Sequence, residues 1–197
     1  MAKIFVIMGK SSSGKDTIYS RIIKVTDNKL KTVTMYTTRP MRDGEADGRE
    51  YFFTDDKHCR ELMDTGKIVE LRAYNTVYGV WKYFTADDGQ IDIDGNDSYI
   101  IIGTLEAFEK ISSYYGKDKV FPIYIEIDDK TRIHRALERE DSQQQPKYAE
   151  MCRRFLADEQ DFSEDKLSSL GITTRFFNDN LDNCIEKIRT YIASLIN

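Results

Sequence analysis

The sequence predicts an α/β fold, a parallel sheet flanked by helices with a smaller α+β insertion, and three observations carry that expectation. Apolar runs rich in β-branched residues recur near 4–8, 31–36, 99–102, 120–127 and 173–177. The first leads across a short loop into a helical pattern, and the last three are followed by helix-like patterns at 104–114, 128–139 and 180–195. Strands alternating with helices build a parallel sheet covered on both faces. Residues 37–98 break that rhythm, which marks them as an insertion between two core elements.

The first run, Ile4 to Met8, stops at Gly9, and Gly14-Lys15 follows five residues later. Ile18, Ile22 and Val25 then share one helical face, with Ile23 beside them. Strand, glycine-bounded loop and helix form the context of a phosphate-binding loop. Gly9 and Gly14 free the backbone to turn, so that the N–H groups of Ser11, Ser12 and Ser13 converge on a phosphate at the positive end of the helix. Lys15 adds a full charge for the β- and γ-phosphates. A hydroxyl usually follows this lysine and ligates Mg2+. Here Asp16 follows, then Thr17, so either of these holds the metal. A carboxylate beside a triphosphate requires a cation. The fold expected is therefore of the P-loop NTPase type, using ATP and Mg2+.

Beyond the loop, residues 37–50 are polar and turn-rich, 55–65 reads as a short helix closed by Gly66, and 67–74 and 77–85 read as strands around an Asn75-Thr76 turn. Asp92 to Asp97 is a solvated turn leading back to the core, in preference to a metal site. Pro122, inside the fourth run, suits the beginning of a strand or an edge. Residues 129–162 are charge-rich, and Ser142-Gln-Gln-Gln-Pro146 divides them into two helices. Their arginines, among them Arg132, Arg135, Arg139, Arg153 and Arg154, fit a lid closing over phosphates.

At 197 residues the chain is long enough for one well-buried core. A net charge of −5, with its cations spread along the chain, argues against a nucleic-acid partner. No stretch reaches the roughly 20 apolar residues of a membrane span. The three cysteines, Cys59, Cys152 and Cys184, are odd in number and far apart, so no disulfide framework is expected and a reducing cytoplasm is the natural compartment. His58-Cys59 has no second cluster at ligand spacing and reads as a surface pair.

The insertion carries a second constellation. Arg39 and Arg42 flank Pro40 in a loop, followed by Tyr51, Glu70 and Tyr78-Gly79. Two guanidinium forks and two phenol hydroxyls suit a phosphate dianion. Glu70, acceptor-only when ionised, suits paired donors such as the N1–H and N2–H edge of guanine.

With these residues in view, the chain resembles the guanylate kinases. The resemblance rests on Gly9-Lys-Ser-Ser-Ser-Gly-Lys15, Thr37-Thr-Arg-Pro-Met-Arg42-Asp-Gly-Glu45, Gly48-Arg-Glu-Tyr51, Gly66-Lys-Ile-Val-Glu70, Tyr78-Gly79, Arg153-Arg154 and Phe177-Asn-Asp179. It implies a single kinase domain with a core (1–36, 98–127 and 170–197), a nucleoside-monophosphate-binding insertion (37–97) and a helical lid (128–165). It also implies transfer of phosphate from ATP to GMP. Arg39, Arg42, Tyr51 and Tyr78 match acceptor-phosphate contacts and Glu70 the guanine contact. Lys15, Asn178 and the lid arginines Arg135, Arg139 and Arg154 fall to the ATP side. The departures gather at the base: Met35 stands where the family has Ser or Thr, leaving Thr34 or Tyr36 to compensate. Val80 replaces another hydroxyl, Ile101-Ile102-Gly103 lacks the family's carboxylates, and the interval from Glu70 to Tyr78 is one residue shorter. The expected partners are small-molecule nucleotides, with a monomer or homodimer as the assembly. The alternatives are a kinase for another small phosphate, such as a different nucleoside monophosphate or a ribose bisphosphate, and a non-catalytic binding module of the same fold.

Overall fold

The centre of the molecule is β1 (Ile4–Met8), every residue of which is buried. A computed structural model describes residues 1–26, 30–42, 44–76 and 79–196. After β1 come α1 (Lys15–Val25) and β2 (Leu30–Thr32). A middle portion holds β3 (Tyr36–Thr37), β4 (Phe52–Phe53), α2 (Asp56–Asp64), β5 (Ile68–Thr76) and β6 (Gly79–Ala86). The chain continues through β7 (Ser98–Ile102), α3 (Leu105–Tyr115), β8 (Val120–Glu126), α4 (Asp129–Asp141), α5 (Tyr148–Asp161) and α6 (Glu164–Ser169), and closes with β9 (Arg175–Phe177) and α7 (Leu181–Ile196).

Five strands form a sheet in the order β2-β7-β1-β8-β9, and all of its pairings are parallel. Successive side chains of a strand point to opposite faces, and β1 shows the result. Ile4, Val6 and Met8 enter one core with Phe108 and Ile111 of α3 and Leu167 of α6. Phe5 and Ile7 enter the other with Ile18 and Ile22 of α1 and Ile185, Ile188 and Ile192 of α7. Because β1 lies between β7 and β8, the chain changes direction across the sheet there, and the crevice beyond the carboxyl ends of such strands is where ligands bind in open α/β sheets. The loop expected to hold phosphate occupies that crevice.

The second sheet has the order β4-β3-β6-β5. Its register aligns Phe53, Thr37, Tyr83 and Arg72 across the four strands, and Phe52, Tyr36, Phe84 and Leu71 in the adjacent row. The second row is a stack of rings, with Tyr36 5.0 Å from Phe52 and 5.1 Å from Phe84 between centroids. The first row carries the polar chemistry described below.

Five expectations from the sequence change. Of the pair His58-Cys59, expected at the surface, only His58 is exposed; Cys59 lies on the buried face of α2. The run at 31–36 is two strands in different sheets, because the Gln90 amide captures both backbone groups of Thr34: Thr34 N–H donates to Gln90 Oε1 at 2.8 Å and Gln90 Nε2 donates to Thr34 O at 3.1 Å. Asn75 and Thr76, expected as a turn, are strand residues paired with Val80 and Gly79, and residues 77–78 between the strands lie outside the described residues. Pro122 sits in β8 with strands on both sides. It lies ahead of Tyr124–Glu126, the residues that β9 pairs, so its missing N–H costs no ladder bond. The short helix α6, not anticipated from the sequence, buries Leu167.

Candidate active site

The loop expected to hold phosphate runs from Gly9 to Lys15. A side chain at Gly9 would place Cβ 2.6 Å from the Ile125 carbonyl and 2.8 Å from Ser13 Oγ. Gly14 has φ +90°, and a Cβ there would collide with the Asn178 amide. Asn178 is buried, and its Nδ2 donates to Ser13 O at 2.8 Å, tying the end of β9 to the loop. Arg135 lies on the same side, with Nη2 3.5 Å from Asn178 O. The Oγ atoms of Ser12 and Ser13 and the Asn178 Oδ1 are buried without hydrogen-bond partners. No side chain caps the first turn of α1. Unsatisfied N–H groups and hydroxyls around a positive helix end form a cradle for anionic oxygens. Lys15 borders it, with Nζ 3.7 Å from the Asp16 carboxylate. Asp16 and Thr17 are exposed on that first turn, where hard oxygen donors suit a divalent cation. Among the described residues no group of three or more His, Cys, Asp or Glu side chains could hold a metal ion by itself.

Above the cradle, α4 and α5 dock onto the loop through one buried cation. Arg132, 1 % exposed, stacks over the Phe155 ring at 4.5 Å. Its Nε donates to Ser11 O at 3.2 Å, and its Nη atoms reach Asp129 (2.6 Å), Asp158 (3.2 Å) and Glu159 (3.0 Å). The Asp158 carboxylate accepts the Ser11 N–H at 2.7 Å, and Glu159 accepts from Lys10 Nζ at 2.7 Å. Burial pushes the Glu159 carboxyl up, but bonding to Lys10 and Arg132 outweighs it and holds the group below its usual range. Arg139 and Arg154 line one narrow crevice with Ser11, Ser12 and Arg132, and Arg154 is shared with Glu150 at 3.3 Å. Arg153 pairs with Glu150 on the exposed side. The sequence marked Arg132 only as one of several cations. Its spacing puts it on one helical face with Arg135 and Arg139, and only its burial among Asp129, Asp158 and Glu159 sets it apart.

The second site stands on the polar row of the second sheet. Thr37, fully buried, donates its hydroxyl to Lys82 O and accepts the Arg39 N–H, which fixes the start of the loop. Arg39 is 3 % exposed, with its guanidinium 5.7 Å from the Tyr51 ring centroid and 5.5 Å from that of Phe53. Its two Nη atoms fork onto Glu45 at 3.0 and 2.8 Å, and Glu45 also accepts the Arg42 N–H at 2.7 Å. Hydrogen bonds from Arg39 pull the Glu45 carboxyl below its ordinary range against burial. The Arg42 side chain is exposed. Burial raises the Tyr51 phenol; Tyr83 and the more distant Asp16 carboxylate raise it further, while Arg39 and Arg72 lower it.

The other residues predicted from the sequence are placed differently. Glu70, expected to offer a free carboxylate, is buried and paired with Arg72. Val80 is exposed at the far end of β6 and alternates onto the face of Lys82 and Phe84, opposite Tyr83 and Thr85. The Thr34 hydroxyl is 3.4 Å from Gly48 O. Tyr78 lies outside the described residues. Glu45 and Tyr83 complete the setting of Arg39. Glu45 was visible as part of the loop motif, whereas Tyr83 emerges only from strand register.

The family model for guanylate kinase matches residues 1–195. The chain is 27 % identical over 191 residues to a guanylate kinase of Wolbachia sp. subsp. Brugia malayi, an alignment covering 96 % of this chain and 91 % of that protein. It is 38 % identical over 109 residues to one from Streptococcus pyogenes, covering 55 % and 52 % respectively. In structure it is similar to guanylate kinase from Anaplasma phagocytophilum, with a TM-score of 0.70 at 16 % identity over 98 % of this chain and 85 % of that one, which establishes a shared fold. A family match running along nearly the whole sequence places the chain in the guanylate kinase family.

Proposed function

We propose that the chain transfers the γ-phosphoryl group of ATP to GMP, giving GDP and ADP, with Mg2+ as cofactor. One observation carries this reading: in a chain that the guanylate kinase family model matches over residues 1–195, the uncapped start of α1 has Lys15 beside it and buried hydroxyls left unsatisfied around it, the setting of a phosphate site. The loop N–H groups and Lys15 hold the β- and γ-phosphates. Asp16 and Thr17 are the side chains that would hold the metal, which would supply charge neutralisation at the transferred group. Arg135, Arg139 and Arg154 reach the same region from the lid. On the acceptor side Arg42, Tyr51 and the remaining donors of Arg39 hold the GMP phosphate in line, and catalysis is positioning and charge stabilisation without a covalent intermediate. Residues 37–97 act as the acceptor-binding insertion and 128–165 as the lid.

The lid is already latched to the loop by Arg132, so nucleotide entry has to loosen the Ser11–Asp158 contact. The free cysteines, two of them buried, fit the reducing cytoplasm. Among the described residues no helix is long and apolar enough to cross a membrane. The direct test is ADP formation from Mg-ATP with a panel of nucleoside monophosphates. Turnover with GMP is expected, and ATP hydrolysis unaffected by every acceptor would overturn the assignment.

A further inference from the structure

Glu70 and Arg72 are separated by two residues in β5, so both point to the polar face of the second sheet. Glu70 is 1 % exposed. Arg72 Nε donates to one of its oxygens at 3.0 Å and Arg72 Nη2 to the other at 3.2 Å, while Thr85 Oγ1 donates to Oε1 at 3.0 Å. The same Nη2 lies 3.6 Å from the Met35 sulfur. The carboxylate that the sequence offers to an incoming base is therefore already held by a fork of two N–H donors from its own strand.

The chemistry of that fork matters. The N1–C2–N2 edge of guanine is itself a guanidine, presenting two near-parallel N–H donors with the spacing of Nε–H and Nη2–H of arginine. The two compete for one carboxylate, which has two oxygens and a third partner in Thr85. Arginine does not lose its proton at any working pH, so titration does not relieve the competition. Met35, where a hydroxyl would otherwise offer a second anchor for the base, contributes only a thioether against the guanidinium.

We propose that Arg72 is a specificity-determining residue that occupies Glu70 in place of guanine and so weakens the selection of GMP over other purine monophosphates. This rests on the kinase reading above and on Glu70 facing the acceptor base. A base entering beside Arg72 meets a donor-only group, which engages O6 and N7 and takes no account of the 2-amino group. Sites that hydrogen-bond a substrate group reject analogues lacking it, and sites whose partner is already satisfied do not.

The test compares kcat/KM for GMP and for IMP, which lacks the 2-amino group, in the full-length wild type and in Arg72→Ala. The wild-type ratio is expected within about fivefold of one, in keeping with the loss of a polar discriminating contact. The alanine variant, with Glu70 released, should raise it at least tenfold over wild type. Arg72→Lys keeps a cation beside Glu70 but loses the paired donors. It should move the ratio in the same direction, and it carries the test if the alanine variant does not fold in a thermal melt. A ratio that rises less than fivefold in a folded variant, or falls, overturns the role of Arg72 while leaving the kinase reading intact. Absence of turnover with every nucleoside monophosphate in all three proteins overturns the kinase reading and this inference together.

Discussion

The glycine loop and the proposed acceptor pocket both gather positive charge, but they hold it in opposite ways. In the loop the donors are main-chain N–H groups at an uncapped helix end, with hydroxyls left without partners. In the pocket each buried guanidinium already has a carboxylate: Arg39 has Glu45, and Arg72 has Glu70. A cradle made of backbone is fixed by the fold, and the rearrangement it needs to receive an anion is the release of the Ser11 N–H from Asp158. A pocket made of paired side chains exchanges one partner for another, so selectivity there depends on which pairs break.

The largest expected effect probes the cradle. Lys15→Ala should lower kcat by about 10²–10³-fold, as for other preorganised donors to a developing charge, with the melting temperature nearly unchanged. A variant keeping most of its kcat would show that the loop N–H groups suffice. Next comes the latch joining lid and loop. Arg132→Ala removes the partner of Asp158 and Glu159 and should destabilise the protein by about 3 kcal/mol in urea unfolding, the lower end for a broken buried pair because Glu159 is partly exposed. No shift in the urea midpoint would mean that the latch is replaceable by water.

Smaller effects sharpen the account of the pocket. Glu45→Gln should weaken the fork on Arg39 and raise the acceptor KM by about tenfold, roughly 1.4 kcal/mol, without changing the KM for ATP. The same contact gives a pH signature. Because the folded Glu45 carboxyl is depressed by Arg39, its contribution is fully present above the ordinary carboxylate value of about 4.3 and is lost as pH falls through the lower folded value. Acceptor KM should rise in both proteins as the acceptor phosphate takes up its proton at about pH 6, and a further climb below the ordinary carboxylate value should appear in the wild type but not in Glu45→Gln. The smallest effect is expected for Tyr51→Phe, which removes one phenol donor worth about 0.5–1.5 kcal/mol in acceptor binding. An unchanged KM would take Tyr51 out of the clamp and leave it as packing for Arg39.

Much of this architecture was legible in the sequence because it is written locally. The apolar run at 4–8, the glycines at 9 and 14 and the helical face of Ile18 and Ile22 each follow from spacing, and their places in the fold agree. The pairings that give the acceptor pocket its character were not legible. Thr34 left its strand because of Gln90, 56 positions away, and Arg39 is enclosed partly by Tyr83, which only strand register brings near. The Glu70–Arg72 pair lay between. Its separation of two within a strand implies a shared face, but whether two neighbouring charges seek each other or a ligand depends on burial, and burial is set by the whole sheet.

The position of β1 has a consequence for biosynthesis. Its five apolar residues are made well before those of its neighbours β7 and β8, which are encoded much later in the chain. At translation rates of about 5–20 residues per second the nascent amino-terminal strand waits on the order of ten seconds for its partners. During that interval it is an exposed aggregation-prone segment, the kind of target that holdase chaperones shield.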